Sequence, residues 1–323
     1  MRNWRWERLL GGLAALSALT LAQALLPANE ETMLRSSVFD AGHVLLFGLV
    51  ALLALWILGG AIPSEDRGRF VPYGLALLLV VLLGLGTEFL QMFAERDAGL
   101  GDFVRDVIGG VAALLAAFAL DRRRWSIPVF ARVLVLILAA TIAVAGMRES
   151  VFVYRDYGRR DASFPTLCGF DAPWEMRFVR GQNAELTRVP PPEGWDEARG
   201  QVGRLSLGRA DYPGLALKET FPDWTGFDAL EFLIWSEEPV ELVVRVHDRA
   251  HDQRYTDRFN RTIQVAPGAN RFRIPLEEIA EGPAQRRLDL GSVAGVAVFA
   301  DRPAEPFTVW LDEIRLVRER NAP

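Results

Sequence analysis

The sequence predicts a multi-domain chain, an all-α transmembrane bundle of five helices followed by an all-β sandwich. Two observations carry that expectation. Half of the 323 residues are hydrophobic and 24% are charged, yet the two classes are segregated along the chain: stretches 9–29, 41–64 and 70–87 contain no Asp, Glu, Lys or Arg. Apolar runs of about 17 to 25 residues are long enough to cross the hydrocarbon layer as helices. Beyond Met147 the long runs stop and short alternating segments take over.

The first run, 9–29, follows Arg2, Arg5 and Arg8, and its Ala22-Gln23-Ala24 resembles a signal-peptidase site. Its apolar stretch is long for a signal peptide and favours an uncleaved anchor. Runs 41–64 and 70–87 supply the second and third helices. The shorter runs 107–120 and 133–147 reach spanning length once the flanking Asp106 or Arg132 is included, and an arginine at a helix end can snorkel to the interface.

Orientation follows from arginine placement, because positively charged short loops stay cytoplasmic. With the N-terminus inside, nine arginines (2, 5, 8, 67, 69, 122, 123, 124 and 132) face the cytoplasm and two (35 and 96) face outward. The expected domains are a membrane domain at 1–148, a charged linker at 149–165, and a sandwich at 166–323 on the extracytoplasmic side of a bacterial inner membrane. Within the last, segments 230–235, 240–247, 262–265, 271–274, 293–299 and 307–311 read as strands, with a turn at Ala266-Pro267-Gly268-Ala269-Asn270. A net charge of −5 without a basic stripe points away from nucleic acid. The single cysteine, Cys168, permits no internal disulfide and is expected to be buried.

Charge next to the membrane is costly, so the polar residues there need a reason. On helices, His43 and Phe47 share a face, as do Glu88 and Gln91, and as do Asp102, Asp106 and Gly109. The predicted topology brings all of these groups to the outer surface. Asp102 and Asp106 have a plain alternative as N-terminal charges favoured by the helix dipole, whereas Glu88 at a C-terminus opposes it. The pattern Asp40-x-x-His43-x-x-x-Phe47, Glu88-x-x-Gln91-x-Phe93-x-x-Arg96 and Asp102-x-x-x-Asp106-x-x-Gly109 resembles the VanZ-like family of bacterial membrane proteins over about residues 35 to 120. That family commonly shows Asn where Asp106 stands. Its name comes from a teicoplanin-resistance determinant, so the resemblance implies a cell-envelope role and a link to glycopeptide resistance, and brings no settled chemistry. The cluster His43, Glu88, Gln91, Arg96, Asp102 and Asp106 is a candidate site. It is read first as a binding or structural network and second as an acid–base site of an enzyme acting on an envelope glycoconjugate.

In the second half, Gly169-Phe170-Asp171, Asp223-Trp224-Thr225-Gly226-Phe227-Asp228, Val246-His247-Asp248, Ile274-Pro275-Leu276 and Trp310-Leu311-Asp312-Glu313-Ile314 resemble, in that order, galactose-binding-like jelly-roll carbohydrate-binding modules. A sugar site needs aromatic faces and planar polar groups. Trp174, Trp195, Arg245, His247, Asp248, His251 and Tyr255 are the candidates to supply them, while Trp224, Trp235 and Trp310 read as structural. The resemblance also implies a structural calcium where the first and last strands meet, at Asp171 and Asp312. The expected partners are the lipid bilayer and a surface or lipid-linked glycan.

Overall fold

The computed structural model describes residues 32–61, 68–93, 100–122 and 125–319, so the predicted first helix lies outside the described residues. The chain divides into two compact units, Met1–Arg155 and Asp156–Pro323.

The first unit contains helices α1 (Met33–Ala61), α2 (Val71–Phe93), α3 (Leu100–Leu120) and α4 (Val129–Gly146). All four are long and apolar enough to cross a membrane, against the five expected for the whole chain. One stripe of α1 starts at His43 and continues through Phe47, Val50, Ala51 and Ala54, all buried. This is the 3.6-residue period of a core-facing helix. Leu45, Leu49, Leu52 and Trp56 point outward and are exposed. At Gly109 a β-carbon would lie 2.1 Å from the Val44 carbonyl oxygen, so α1 and α3 cross with their backbones in contact. At the opposite end from His43, Phe70 lies 4.4 Å and Phe118 4.9 Å from the Trp125 ring, centroid to centroid. There Arg132 donates to the carbonyls of Ala119 (2.7 Å) and Trp125 (2.5 Å), satisfying the end of α3.

The expected linker is instead a helix, α5 (Arg148–Ser163). Its overall polarity hides a buried face at Val153, Asp156 and Tyr157. In its C-terminal half Arg160 lies against the rings of Tyr157, Phe178 and Phe221 at 4.6 to 4.9 Å, and Asp156 accepts from Arg177 at 3.1 Å.

The second unit holds β1 (Thr166–Cys168), β2 (Val179–Gln182), β3 (Ala184–Val189), β4 (Val202–Leu207), β5 (Gly214–Leu217), β6 (Ala229–Ser236), β7 (Val240–Asp248), β8 (Phe259–Val265), β9 (Gly268–Pro275), a short α6 (Leu276–Ala280), β10 (Val293–Phe299) and β11 (Phe307–Val317). Every pairing is antiparallel. One sheet runs β3-β4-β11-β6-β9 with β1 also on β11, and the other runs β2-β5-β10-β7-β8. Leu205 and Leu311 from the first and Leu215, Val244 and Val298 from the second share one core, which makes the unit a sandwich. The predicted turn forms as its residues demand. Gly268 takes a φ of +88°, and the Asn270 amide donates to the Ala266 carbonyl at 2.7 Å and accepts from the Ala266 N–H at 3.0 Å.

Candidate functional site

Within the helical unit the close α1–α3 crossing seats a polar cluster one to three turns below a helix end. His43 Nδ1 lies 2.8 Å from Asp106 Oδ1, and Asp106 is fully buried. His43 Nε2 is 4.0 Å from Asp102 Oδ2. Arg105 joins the two helices, reaching Asp40 on α1 at 3.1 Å and Asp102 at 2.5 Å. Asp106 Oδ2 is buried without a hydrogen-bond partner, and Gly84 of α2 leaves room beside it, since a β-carbon there would lie 3.2 Å away. Glu88 is near enough to act on Asp106 electrostatically. His43, Asp102 and Asp106 therefore meet in one place, with Glu88 within electrostatic reach. The side chain of Gln91 and all of Arg96 lie outside the described residues.

In the sandwich, alternation along β7 sends Val244 and Val246 into the core and Arg245 and His247 outward. Register then places Ala297 of β10 beside Arg245 and Gly295 beside His247. Ala216 of β5 lies beside Ala297, and Asn260 of β8 lies beside Arg245 on the other side. The centre of this sheet face is thus floored by small residues and walled by long polar ones. Glycine lets the His247 ring lie over the sheet, because a β-carbon at Gly295 would sit 2.3 Å from the imidazole and displace it. Four buried polar atoms here have no hydrogen-bond partner: Arg245 Nε, His247 Nδ1, Arg258 Nε and Asn260 Oδ1. Tyr255, 67% exposed, stands at the end of the trough, with Arg258 lying 5.4 Å from its ring centroid.

Of the other expected ligand contacts, His251 lies beside His247, ring centroids 5.0 Å apart, and the rest lie elsewhere. Trp195 is 3% exposed and packs with Val202 and Leu233 on the outside of the six-stranded sheet, where its ring centroid is 6.0 Å from that of Trp235. Its face is covered, so it offers no sugar platform. Asp248 is buried and held by Arg286 at 2.5 and 2.8 Å. The His251 side chain is 4% exposed; its Nδ1 lies 3.0 Å from the Asp257 carbonyl oxygen. Trp174 is half-buried, its ring centroid 6.2 Å from that of Phe178. Trp224 is buried under a turn, its indole donating to the Phe221 carbonyl at 2.7 Å. Cys168 is buried as a small hydrophobe, and burial pushes its thiol well above the usual range.

Asp312 bears on the calcium expectation. Its Oδ1 accepts the Glu313 N–H at 2.8 Å, while Oδ2 is buried without a partner. Burial first, and then the charges of Glu313 and Asp171, push its carboxyl up to about 7. A buried carboxylate oxygen without a donor, with a second carboxylate in electrostatic reach, fits a hard cation. Two carbonyls beside it are otherwise engaged, because Arg188 donates to Phe170 and Asp171 at 2.5 Å each. Glu175, which the sequence pattern did not single out, organises this corner by accepting the N–H groups of Gly169, Phe170 and Ala172 at 2.6 to 3.0 Å.

No protein-family model matches the chain, and no curated protein matches it. Among solved structures, the C-terminal sheet domain is similar to carbohydrate-binding modules. A family 11 module from Clostridium thermocellum in complex with a beta-1,3-1,4-mixed-linked tetrasaccharide is 15% identical, with 43% of this chain and 87% of that one covered and a TM-score of 0.34. A family 30 module of a Clostridium thermocellum cellulosomal cellulase is 21% identical, with 45% and 92% covered and a TM-score of 0.34. An exo-beta-agarase is 18% identical, with 49% of this chain but only 26% of the agarase covered and a TM-score of 0.37. Likeness at this level carries no argument about what this chain binds.

Proposed function

We propose that this chain is a VanZ-like integral membrane protein of a bacterial cell envelope that binds a surface or lipid-linked glycan through its sandwich, without itself catalysing a reaction. The observation that supports this most is the outer face of the five-stranded sheet. Ala216, Gly295 and Ala297 leave a shallow floor for a flat ring, and Arg245, His247 and Asn260 present planar polar groups whose buried atoms lack partners. Hydroxyls satisfy such groups, and an unpaired buried polar atom costs roughly 1–3 kcal/mol. Tyr255 adds an exposed aromatic face. A role in glycopeptide resistance is part of this proposal through the family resemblance alone. Calcium, held by Asp171 and Asp312, would brace the corner where β1 meets β11 and would not touch the glycan.

A second reading, an enzyme modifying an envelope glycoconjugate, is favoured by one observation: the buried His43–Asp106 pair, with its second carboxylate oxygen unpartnered. Such a pair is suited to hold or pass a proton. Both readings meet one experiment, an envelope-glycan array probed with the full-length protein in detergent, with and without calcium. The proposal expects retention of a defined polysaccharide, lost in His247→Ala. Conversion of the bound glycan would transfer weight to the enzyme reading, and an array without binding overturns the glycan reading.

A further inference from the structure

The face of the five-stranded sheet carries a charge imbalance that no described side chain offsets. Several other arginines of the sandwich are paired with carboxylates. Arg271 and Arg315 both reach Glu231, at 2.8 and 2.7 Å, and Arg286 reaches Asp248 and Asp257, each at 2.5 Å. Arg245 and Arg258 are different. Neither has a carboxylate partner among the described residues, and the Nε of each is buried and unsatisfied. They lie close enough for the charge of Arg258 to add to burial in pulling Arg245 below its usual range. Strand alternation puts two further cations on the same face, Arg180 opposite Ala216 on β2 and Lys218 just beyond β5. The acid on this face, Glu241, lies at the far end of β7 and accepts from Gln264 at 2.7 Å.

Desolvated guanidinium groups without a counter-charge are costly. In a chain with 41 acidic residues, the half-buried Arg261, Arg286 and Arg315 reach carboxylates and Arg188 reaches two carbonyls, whereas the Nε of Arg245 and of Arg258 is left buried and open. We propose that the missing counter-charge arrives with the ligand, and that the face binds an anionic glycan, one carrying carboxylate or phosphate substituents. Arg245 and Arg258 would take the acid group through charge-assisted hydrogen bonds. His247 and Asn260 would take neighbouring hydroxyls, and the Ala216–Ala297 floor would admit the ring between them. This rests on the glycan reading above and specifies its chemistry.

The test is titration calorimetry on the full-length protein in detergent with three oligosaccharides of equal length, one neutral, one uronate-bearing and one phosphate-bearing. At least one acidic oligosaccharide is expected to bind about ten-fold or more tightly than the neutral one, with the preference shrinking as sodium chloride rises from about 0.05 to about 0.5 M. Arg245→Met keeps the aliphatic bulk and removes an uncompensated cation, so it should abolish the preference while raising the melting temperature. Arg258→Gln should weaken the same binding, and Arg209→Gln, at an exposed arginine outside this face, should not. Equal affinity for neutral and acidic oligosaccharides overturns the anionic assignment and leaves the glycan reading intact. Absence of binding to all three overturns both. A lower melting temperature for Arg245→Met, with acidic binding unchanged, marks Arg245 as structural and also overturns the assignment.

Discussion

His247 illustrates how a sheet face sets the state of one side chain. Burial against Gly295, followed by the positive charges of Arg245, His251 and Arg258, lowers its imidazole from 6.5 to about 4, and the opposing charge of Asp248 across the strand does not compensate. The folded protein therefore holds His247 neutral where the unfolded chain would protonate it. Between about 6.5 and about 4 the unfolded state binds the extra proton, so stability falls as pH drops through that window and is regained as pH rises. Two arginine-paired carboxylates, Glu231 on the other sheet and Asp248 next to His247, are shifted down. Burial alone would raise Glu231 and Asp248, but Arg315 and Arg271 outweigh it for the first and Arg286 for the second, and both lie below the usual carboxylate range. Between pH 7.5 and 4 the melting temperature should drop more, or rise less, in the wild type than in His247→Gln, because the raised Asp312 carboxyl acts in the opposite direction in both. Parallel profiles would mean that His247 is protonated as readily in the folded chain as in the unfolded one.

At the scale of elements, the contact between α1 and α3 decides whether the polar cluster exists. A β-carbon at Gly109 meets the Val44 carbonyl at 2.1 Å, and that neighbour is backbone, so the helices themselves must separate. Gly109→Ala should lower bundle stability by about 1–3 kcal/mol, the usual cost of overpacking, and carry Asp106 away from His43. Thermal denaturation in detergent measures the first effect. A melting temperature equal to wild type would show that the two backbones are not in contact. The Asp102-Asp106-Gly109 spacing was legible because one helical face is a geometric fact of the period. Legibility failed where an element is short or mixed in character. Arg258 and Asn260 were missed because β8 was expected to begin at Thr262, and the stretch Phe259-Asn260-Arg261 alternates one core side chain with polar ones, a weak strand signal. Strands β2 and β5, four residues each and containing Gly181 or Gly214, give too little period to detect. Helix α5 escaped because its charges dominate, although Val153, Tyr157 and Arg160 are spaced by four and three. Trp195 misled for another reason. Residue type marks it as a sugar platform, and only the tertiary packing of the proline-rich loop onto Leu233 and Val202 shows its face to be covered.

For the whole molecule, sidedness is the property on which an envelope role depends. The described helices have two chemically distinct ends. One carries Asp40, His43, Asp102 and Arg105, and the other carries Phe70, Tyr73, Phe118 and Trp125 together with Arg132. Aromatic rings and arginine at helix ends suit a headgroup region, and arginine excess marks the cytoplasmic one. The arginines of 67–69, 122–124 and 132 stand in sequence next to the residues of the aromatic end, so the proposed envelope role requires that end in the cytoplasm and the acidic end outside. If α1 to α4 all cross, the even number of crossings returns the chain to the side on which α1 began, the side of the acidic end. In the proposed topology the sandwich would follow on that side, and the expected crossing of 9–29 would put the N-terminus in the cytoplasm. Alkaline phosphatase fused after residue 319 should be active in intact bacteria, and fused at residue 68 it should be inactive, with a fluorescent cytoplasmic reporter giving the reverse pattern. Cytoplasmic signal from the C-terminal fusion would invert the topology and place Arg245, Arg258 and His247 where no surface glycan could reach them.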